Sequence, residues 1–341
     1  MESKPLNTPS TKMRIGSSNS YKLHELKFGA ASHDILADFL INLNSKNREH
    51  LENVSEHAGA FKQSRLVGQS HCYFVLMKYS DTLYLLPESV FLICEVLRLE
   101  PFTAYQAIEI LERFMINHIE EMFAAAPPSG ADGGKGDIYG SVLIKLSDKF
   151  MLLVFSCVQL ASKLALHCSI VDNSTAVKFL QCLGYSYTKE TLLESELNIL
   201  KTLNFYISVP NPLTYVETLL EVLGYNDSDV PIKYLHKITQ LVLQFVYLQR
   251  NPIYHNLLVA TIENSTPSEV QRVKFLSVTE DSMLLAVSVI AASAFILNYT
   301  TWDQVLEELR CITGINGESI SDFSHIILKQ IMGSGTPLKS L

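Results

Sequence analysis

Apolar residues run almost all the way round one stretch near the middle of the chain, Lys149 to His167. Phe150 to Phe155, Cys157, Val158, Leu160, Ala161 and Leu164 to Leu166 leave no solvent face. A helix without one must be enclosed by other helices. Four of its polar residues, Ser156, Gln159, Lys163 and His167, recur three and four apart and so form a single stripe. With Lys163 inside it, the run falls short of the ~20 residues of a bilayer span. No Gly, Pro or Asn divides it into two buried strands. The pattern predicts the central helix of an all-α domain and no membrane anchor.

The flanking pattern is helical too. Residues 1–33 are rich in Ser, Asn, Lys and Thr and read as a disordered tail. Ile35, Leu36, Phe39, Leu40 and Leu43 then share one helical face, which Leu51, Val54 and Ala58 extend. Residues 62–87 break the theme, because Tyr73 to Met77 and Leu83 to Leu86 look strand-like. Glu88 to Leu99 predicts a short apolar helix. Thr103 with Gln106 three residues on predicts a capping box opening the next. Ala107, Leu111, Phe114, Met115, His118 and Met122 would be that helix's buried face, with Glu109 and Arg113 a favourable i,i+4 pair and His118 a packed or edge histidine rather than a metal ligand. Residues 125–141, full of Gly and Pro, read as a flexible loop.

Beyond the central run, helices are predicted from Thr175 to Leu183 and from Thr188 to Leu203. The second carries Leu193, Leu197 and Leu200 on one side, with Glu194 and Glu196 elsewhere. Pro210 and Pro212 mark a boundary, with Asn211 as N-cap and Pro212 at the first helical position. Leu213, Val216, Leu220 and Leu223 form the next stripe, ended by Gly224, and Leu235, Ile238, Val242 and Phe245 the one after. Thr266 to Glu269 reads as a capping box for a short connecting helix. Met283 to Leu297 is a second wholly apolar run whose spacing echoes the first, and helices over Thr301–Ile312 and Glu318–Met332 close the chain. The fold class predicted is all-α: two tandem five-helix bundles, each wrapped round one buried helix, behind a disordered N-terminal tail. The expected boundaries are 1–33 tail, 34–87 N-terminal helix and uncertain insertion, 88–207 first bundle, 208–333 second bundle and 334–341 tail.

Composition narrows the function classes. The 341 residues have room for two domains. Thirty-five acidic against 27 basic residues give a net charge of −8, which argues against direct nucleic-acid binding. The six cysteines show no CxxC pair and no metal-type spacing with histidine; Cys94, Cys157 and Cys182 read as buried small apolar residues. Gly130 to Gly136 fails as a phosphate loop, since Ser129 and Gly136 stand where Gly and Ser or Thr are needed. No HExxH and no GxSxG is present. The expectation is a protein that is not an enzyme, with no catalytic residues, metal, cofactor or small-molecule substrate.

Three stretches carry a family resemblance. Thr103 to Met115 resembles the second helix of a cyclin box, Leu160-Ala-Ser-Lys163 the end of the third, and Tyr187 through Glu196 to Phe205 the fifth, in the right order. Tyr105 to Met115, Val158 to Leu164 and Leu192 to Tyr225 are similar to a divergent meiotic member of the cyclin family. The resemblance covers roughly residues 88–333, treats 62–87 as an insertion, and implies two tandem cyclin-like bundles. It also implies a nuclear regulatory protein on meiotic chromosomes, acting in crossover designation and maturation with other recombination proteins. A cyclin-dependent kinase is its candidate partner. In kinase-activating cyclins the Ala-Ser-Lys lysine and a glutamate of the fifth helix hold the kinase's regulatory helix; the matching positions are Lys163 and Glu196. The competing reading leaves both side chains simply solvated. Two departures stand out: Leu164-Ala165-Leu166 replaces the acidic pair that follows the lysine in many cyclins, and Glu88 to Cys94 lacks the substrate-docking pattern of the first helix. An alternative is a nucleic-acid-binding double cyclin fold like that of general transcription factor two B, which the charge and the missing CxxC pairs disfavour.

Overall fold

The computed structural model describes residues 28–63, 81–124, 135–165, 170–227, 230–262 and 266–333. Within them lie thirteen α-helices, a short 3-10 turn and no strand. Helices α1 (His33–Gln63), α2 (Asp81–Val96), α3 (Pro101–Ala124), α4 (Lys135–Leu164), α5 (Asn173–Cys182) and α6 (Lys189–Thr202) precede Pro210. Helices α7 (Pro212–Asn226), α8 (Ile232–Leu248), α9 (Arg250–Ile262), α10 (Glu269–Thr279), α11 (Ser282–Leu297), α12 (Trp302–Thr313) and α13 (Gly317–Gly333) follow it.

The apolar run at 149–167 is the core of the first unit. Val154, Phe155, Cys157, Val158 and Ala161 of α4 are fully buried. They share one cluster with Ile108, Leu111 and Phe114 of α3, Leu180 of α5, and Leu192 and Ile199 of α6. Each such large side chain contributes about 1.5–3 kcal/mol by leaving water. The helix begins at Lys135, so residues 135–141 are helical and not loop; residues 125–134 of that expected loop lie outside the described residues. Ile138, Val142 and Leu146 fall four apart and continue one helical face in the sequence. Gly136 and Gly140 weaken the helix by about 1 kcal/mol each without ending it.

A second correction concerns residues 62–87. Leu83 to Leu86 belong to α2, which runs through Pro87, while Tyr73 to Met77 lie outside the described residues. The predicted opening of α3 also moves. That helix starts at Pro101, so Thr103 is inside it and not its cap, and Gln106 is spent on the joint between the bundles.

Helix α11 repeats the arrangement in the second unit, buried from Met283 to Ala294 among α7, α8, α12 and α13. Between α8 and α11 lie two further helices, α9 and α10, so this unit carries more than the five helices expected. The capping box of α10 is Ser268 with Gln271, two residues beyond the predicted Thr266 and Glu269. Cys182, expected to be buried, is exposed; Cys72 and Cys168 lie outside the described residues. No single helix among the described residues is long and apolar enough to cross a membrane.

The chain N-terminal to α1 is tied to the second unit. Residues 1–27 of the expected tail lie outside the described residues, but 28–33 do not. The Glu221 carboxylate of α7 accepts the backbone N–H groups of Gly29, Ala30 and Ala31 at 2.8, 2.9 and 2.9 Å. Gly29 takes a positive φ of 73°, and a Cβ there would lie 2.5 Å from the Gly224 carbonyl oxygen. Gly224 therefore does not end α7, which continues to Asn226; its missing side chain lets the two backbones meet. Helix α1 then packs on α7, α10 and α11 through Leu36 and Leu43, while Ile35 and Phe39, assigned to the same face by spacing, are exposed.

Three devices join the units. Asn211 caps α7 as predicted, accepting the Thr214 N–H at 3.2 Å. Its side-chain nitrogen donates to Gln106, which in turn donates to the Ile207 carbonyl at 2.9 Å. Phe91, Tyr105 and Tyr247 meet edge to face with centroids 5.2 to 6.4 Å apart. Arg250 of α9 reaches Glu112 of α3 at 3.0 Å.

Candidate functional site

The polar stripe of α4 faces α5 and α6. Ser156 Oγ lies 2.8 Å from both the Leu152 carbonyl and Ser195 Oγ, and Gln159 donates to Asn173 at 2.5 Å. At the end of the stripe Lys163 Nζ donates to Glu196 Oε1 at 2.6 Å. His167 lies outside the described residues. Two residues 33 positions apart in sequence are thus brought into one ion pair.

The two members are not equivalent. The Lys163 side chain is 40% exposed, whereas that of Glu196 is 7% exposed. The simple solvated reading therefore does not describe Glu196. Its carboxylate is placed by α6, whose inward face is Leu192, Ser195, Glu196 and Ile199. Thr188 caps that helix by accepting the Thr191 N–H, which fixes where the face begins. A carboxylate held inward with a lysine at its mouth leaves two Lys163 protons free to donate outward.

Beside the pair lies an apolar surface formed by part of the leucine row of α6. Leu193 and Leu197 are 44% and 45% exposed, one turn apart on α6. Either leucine row of this helix could face inward by spacing alone, and the docking of Ser195 on Ser156 selects Leu192 and Ile199. An exposed pair of leucines flanking a charge-assisted hydrogen bond is the chemistry of a protein-docking surface. Where many cyclins carry an acidic pair after the lysine, Leu164 packs on the first core and Ala165 is buried. His118 packs against Phe114 with centroids 4.9 Å apart, and burial lowers its pKa. No group of three or more His, Cys, Asp or Glu among the described residues could hold a metal ion.

The family model for the cyclin N-terminal domain matches residues 69–208. Cyclin N-terminal domain-containing protein 1 of Mus musculus is 46% identical over 315 residues, covering 92% of this chain and 88% of the relative. The Homo sapiens protein of the same name is 44% identical over 319 residues, 93% of this chain and 91% of the relative. This chain belongs to the cyclin N-terminal domain-containing protein 1 family.

The cyclin-domain match takes in α2 to α6, the whole cluster around α4, and both members of the Lys163–Glu196 pair. It starts at residue 69 and so includes most of the 62–87 stretch. A cyclin box is a protein-interaction module, and the surface just described lies on it.

Proposed function

We propose that this chain is a non-enzymatic, cyclin-like regulatory protein of meiotic recombination. It promotes crossover designation and maturation at late recombination sites, in the nucleus and on meiotic chromosomes, together with other recombination proteins. A cyclin-dependent kinase docks on the face formed by the ends of α4 and α6. The observation that carries the kinase reading is the Lys163–Glu196 pair, half-buried and flanked by exposed Leu193 and Leu197. Lys163 has donors to spare for the main-chain carbonyls that end a partner helix, and the leucines offer that helix an apolar seat. The resemblance of Tyr105–Met115, Val158–Leu164 and Leu192–Tyr225 to a meiotic member of the family supports the cellular setting.

Affinity purification of the tagged chain from meiotic cells, followed by mass spectrometry, tests this reading. A cyclin-dependent kinase and crossover-site proteins should be recovered with the unaltered chain. The Lys163→Ala, Glu196→Ala double variant should retain the recombination proteins and lose the kinase. Recovery of neither class would overturn the proposal.

A further inference from the structure

A cleft of about 450 Å³ opens where α1, α3, α9 and the linker meet, away from the Lys163–Glu196 pair. That size falls in the ~300–1,000 Å³ range of ligand pockets. Its walls carry charges of both signs: Lys46, Glu49 and His50 from α1, Glu109, Glu112 and Arg113 from α3, Arg250 from α9, and Glu280 from the turn before α11. Most are engaged. Arg250 reaches Glu112 at 3.0 Å and Glu280 at 3.6 Å, and His50 reaches Glu280 at 3.3 Å.

Three groups lining the cleft are left over. Glu109 makes no ion pair or hydrogen bond at bonding distance among the described residues, although the Arg113 and His50 charges act on it from further off. The i,i+4 pairing with Arg113 does not form, because Arg113 Nη2 donates to the Tyr206 carbonyl at 2.8 Å and its guanidinium lies over the Tyr206 ring. The second nitrogen, Arg113 Nη1, is buried and unpartnered. Tyr254, only 7% exposed, has a buried hydroxyl that likewise lacks a partner. Buried polar atoms are nearly always satisfied, and the exceptions call for an explanation.

The unmet set is one acceptor, one donor and one hydroxyl. A simple cation would satisfy Glu109 but meet Arg113 and Arg250. An inorganic anion would satisfy Arg113 but meet Glu109. A peptide main chain suits both, since in extended form a residue's N–H and C=O point to the same side. Glu109 and Arg113 stand one helical turn apart, a spacing of ~5–6 Å that one extended residue and its neighbour can span. Tyr206, Tyr215 and Tyr247 supply aromatic walls for the side chains.

We propose that this cleft binds an extended segment of a partner protein through its main chain, with a backbone N–H donated to Glu109 and a carbonyl accepting from Arg113 Nη1 and the Tyr254 hydroxyl. Binding joins α1 and both helical units around one ligand, independently of the kinase face. Burial, the neighbouring Glu112 and the more distant Glu280 push the Glu109 carboxyl up to about 7, while Arg113 and His50 oppose the rise. The N–H donor requires the ionised form, so affinity should rise with pH through neutrality.

The test uses the full chain and a display library of random seven-residue peptides as the probe. Enriched peptides should bind in fluorescence anisotropy. Their affinity should fall about tenfold or more in Glu109→Leu, and several-fold in Tyr254→Phe, which keeps the ring and removes only the hydroxyl. Between pH 8 and pH 6 the affinity for the unaltered chain should fall about tenfold. N-methylation of one central peptide nitrogen should abolish binding, and the Lys163→Ala, Glu196→Ala variant should bind normally. Failure to enrich any peptide would overturn the proposal. Enriched peptides that bind Glu109→Leu and Tyr254→Phe as tightly as the unaltered chain would do the same.

Discussion

Replacing Glu109 by Gln should stabilise the protein, and by an amount that depends on pH in a calculable way. The folded-state carboxyl is raised from 4.5 to about 7, first by burial and then by the charge of Glu112. A raised carboxyl favours folding while protonated, so its contribution is fully present below pH 4.5 and is lost as pH rises through 7. At 1.36 kcal/mol per unit, the ionised form costs the folded chain about 3 kcal/mol once the pH exceeds 8. Gln has nearly the same shape and no charge. The variant should therefore match the parent near pH 4.5 and exceed it by roughly 2–3 kcal/mol at pH 8. Arg113, Glu112 and Glu280 are common to both proteins, and making both measurements in a His50→Gln background removes the one imidazole whose pKa the Glu109 charge raises, so the difference between the two curves isolates Glu109. Urea unfolding followed by circular dichroism at several pH values, with equal slopes in denaturant, measures it. A difference that stays flat with pH, or a Gln variant less stable than the parent at pH 8, would refute the argument. Either would show that the charge of Arg113 outweighs the burial of the carboxylate.

Other substitutions probe separate parts of the fold. Leu160→Ala, in the enclosed part of α4, should cost about 2–5 kcal/mol in chemical unfolding, and a cost below ~0.5 kcal/mol would mean α4 is not the core helix. Lys163→Ala alone leaves the inward Glu196 carboxylate unpaired, so it should lower the melting temperature more than the double change with Glu196→Ala does. Gly29→Ala demands a positive φ and places a methyl 2.5 Å from Gly224, so it should destabilise by about 1–3 kcal/mol and speed amide exchange at Ala30 and Ala31.

What could be read from the sequence follows how local the determining physics is. The two enclosed helices were legible because an apolar run with no polar face has few alternatives, and Asn211-Pro212 because a cap acts within three residues. Long-range reuse of local signals was not legible. Thr103 and Gln106 have capping-box spacing, yet Gln106 is consumed by Ile207 and Asn211 about a hundred positions away. Gly224 looks like a helix stop until Gly29 arrives beside it. Glu109 and Arg113 have ion-pair spacing, but the Tyr206 carbonyl claims the arginine. The candidate site was reached through family resemblance and not through spacing. Lys163 and Glu196 sit on different helices, and nothing local marks Leu193 and Leu197 as the outward row of α6.

The proposed kinase face is tested most directly by the affinity of a purified cyclin-dependent kinase, recovered with the chain from meiotic cells, for the Lys163→Ala, Glu196→Ala double variant. The pair is partly desolvated and sits in an apolar setting, where removing such a contact commonly costs ~2 kcal/mol or more of binding. Kinase affinity should therefore fall about tenfold or more, with the melting temperature of the variant nearly unchanged. Undiminished affinity in a folded double variant would contradict the account and move the kinase to another face of the molecule.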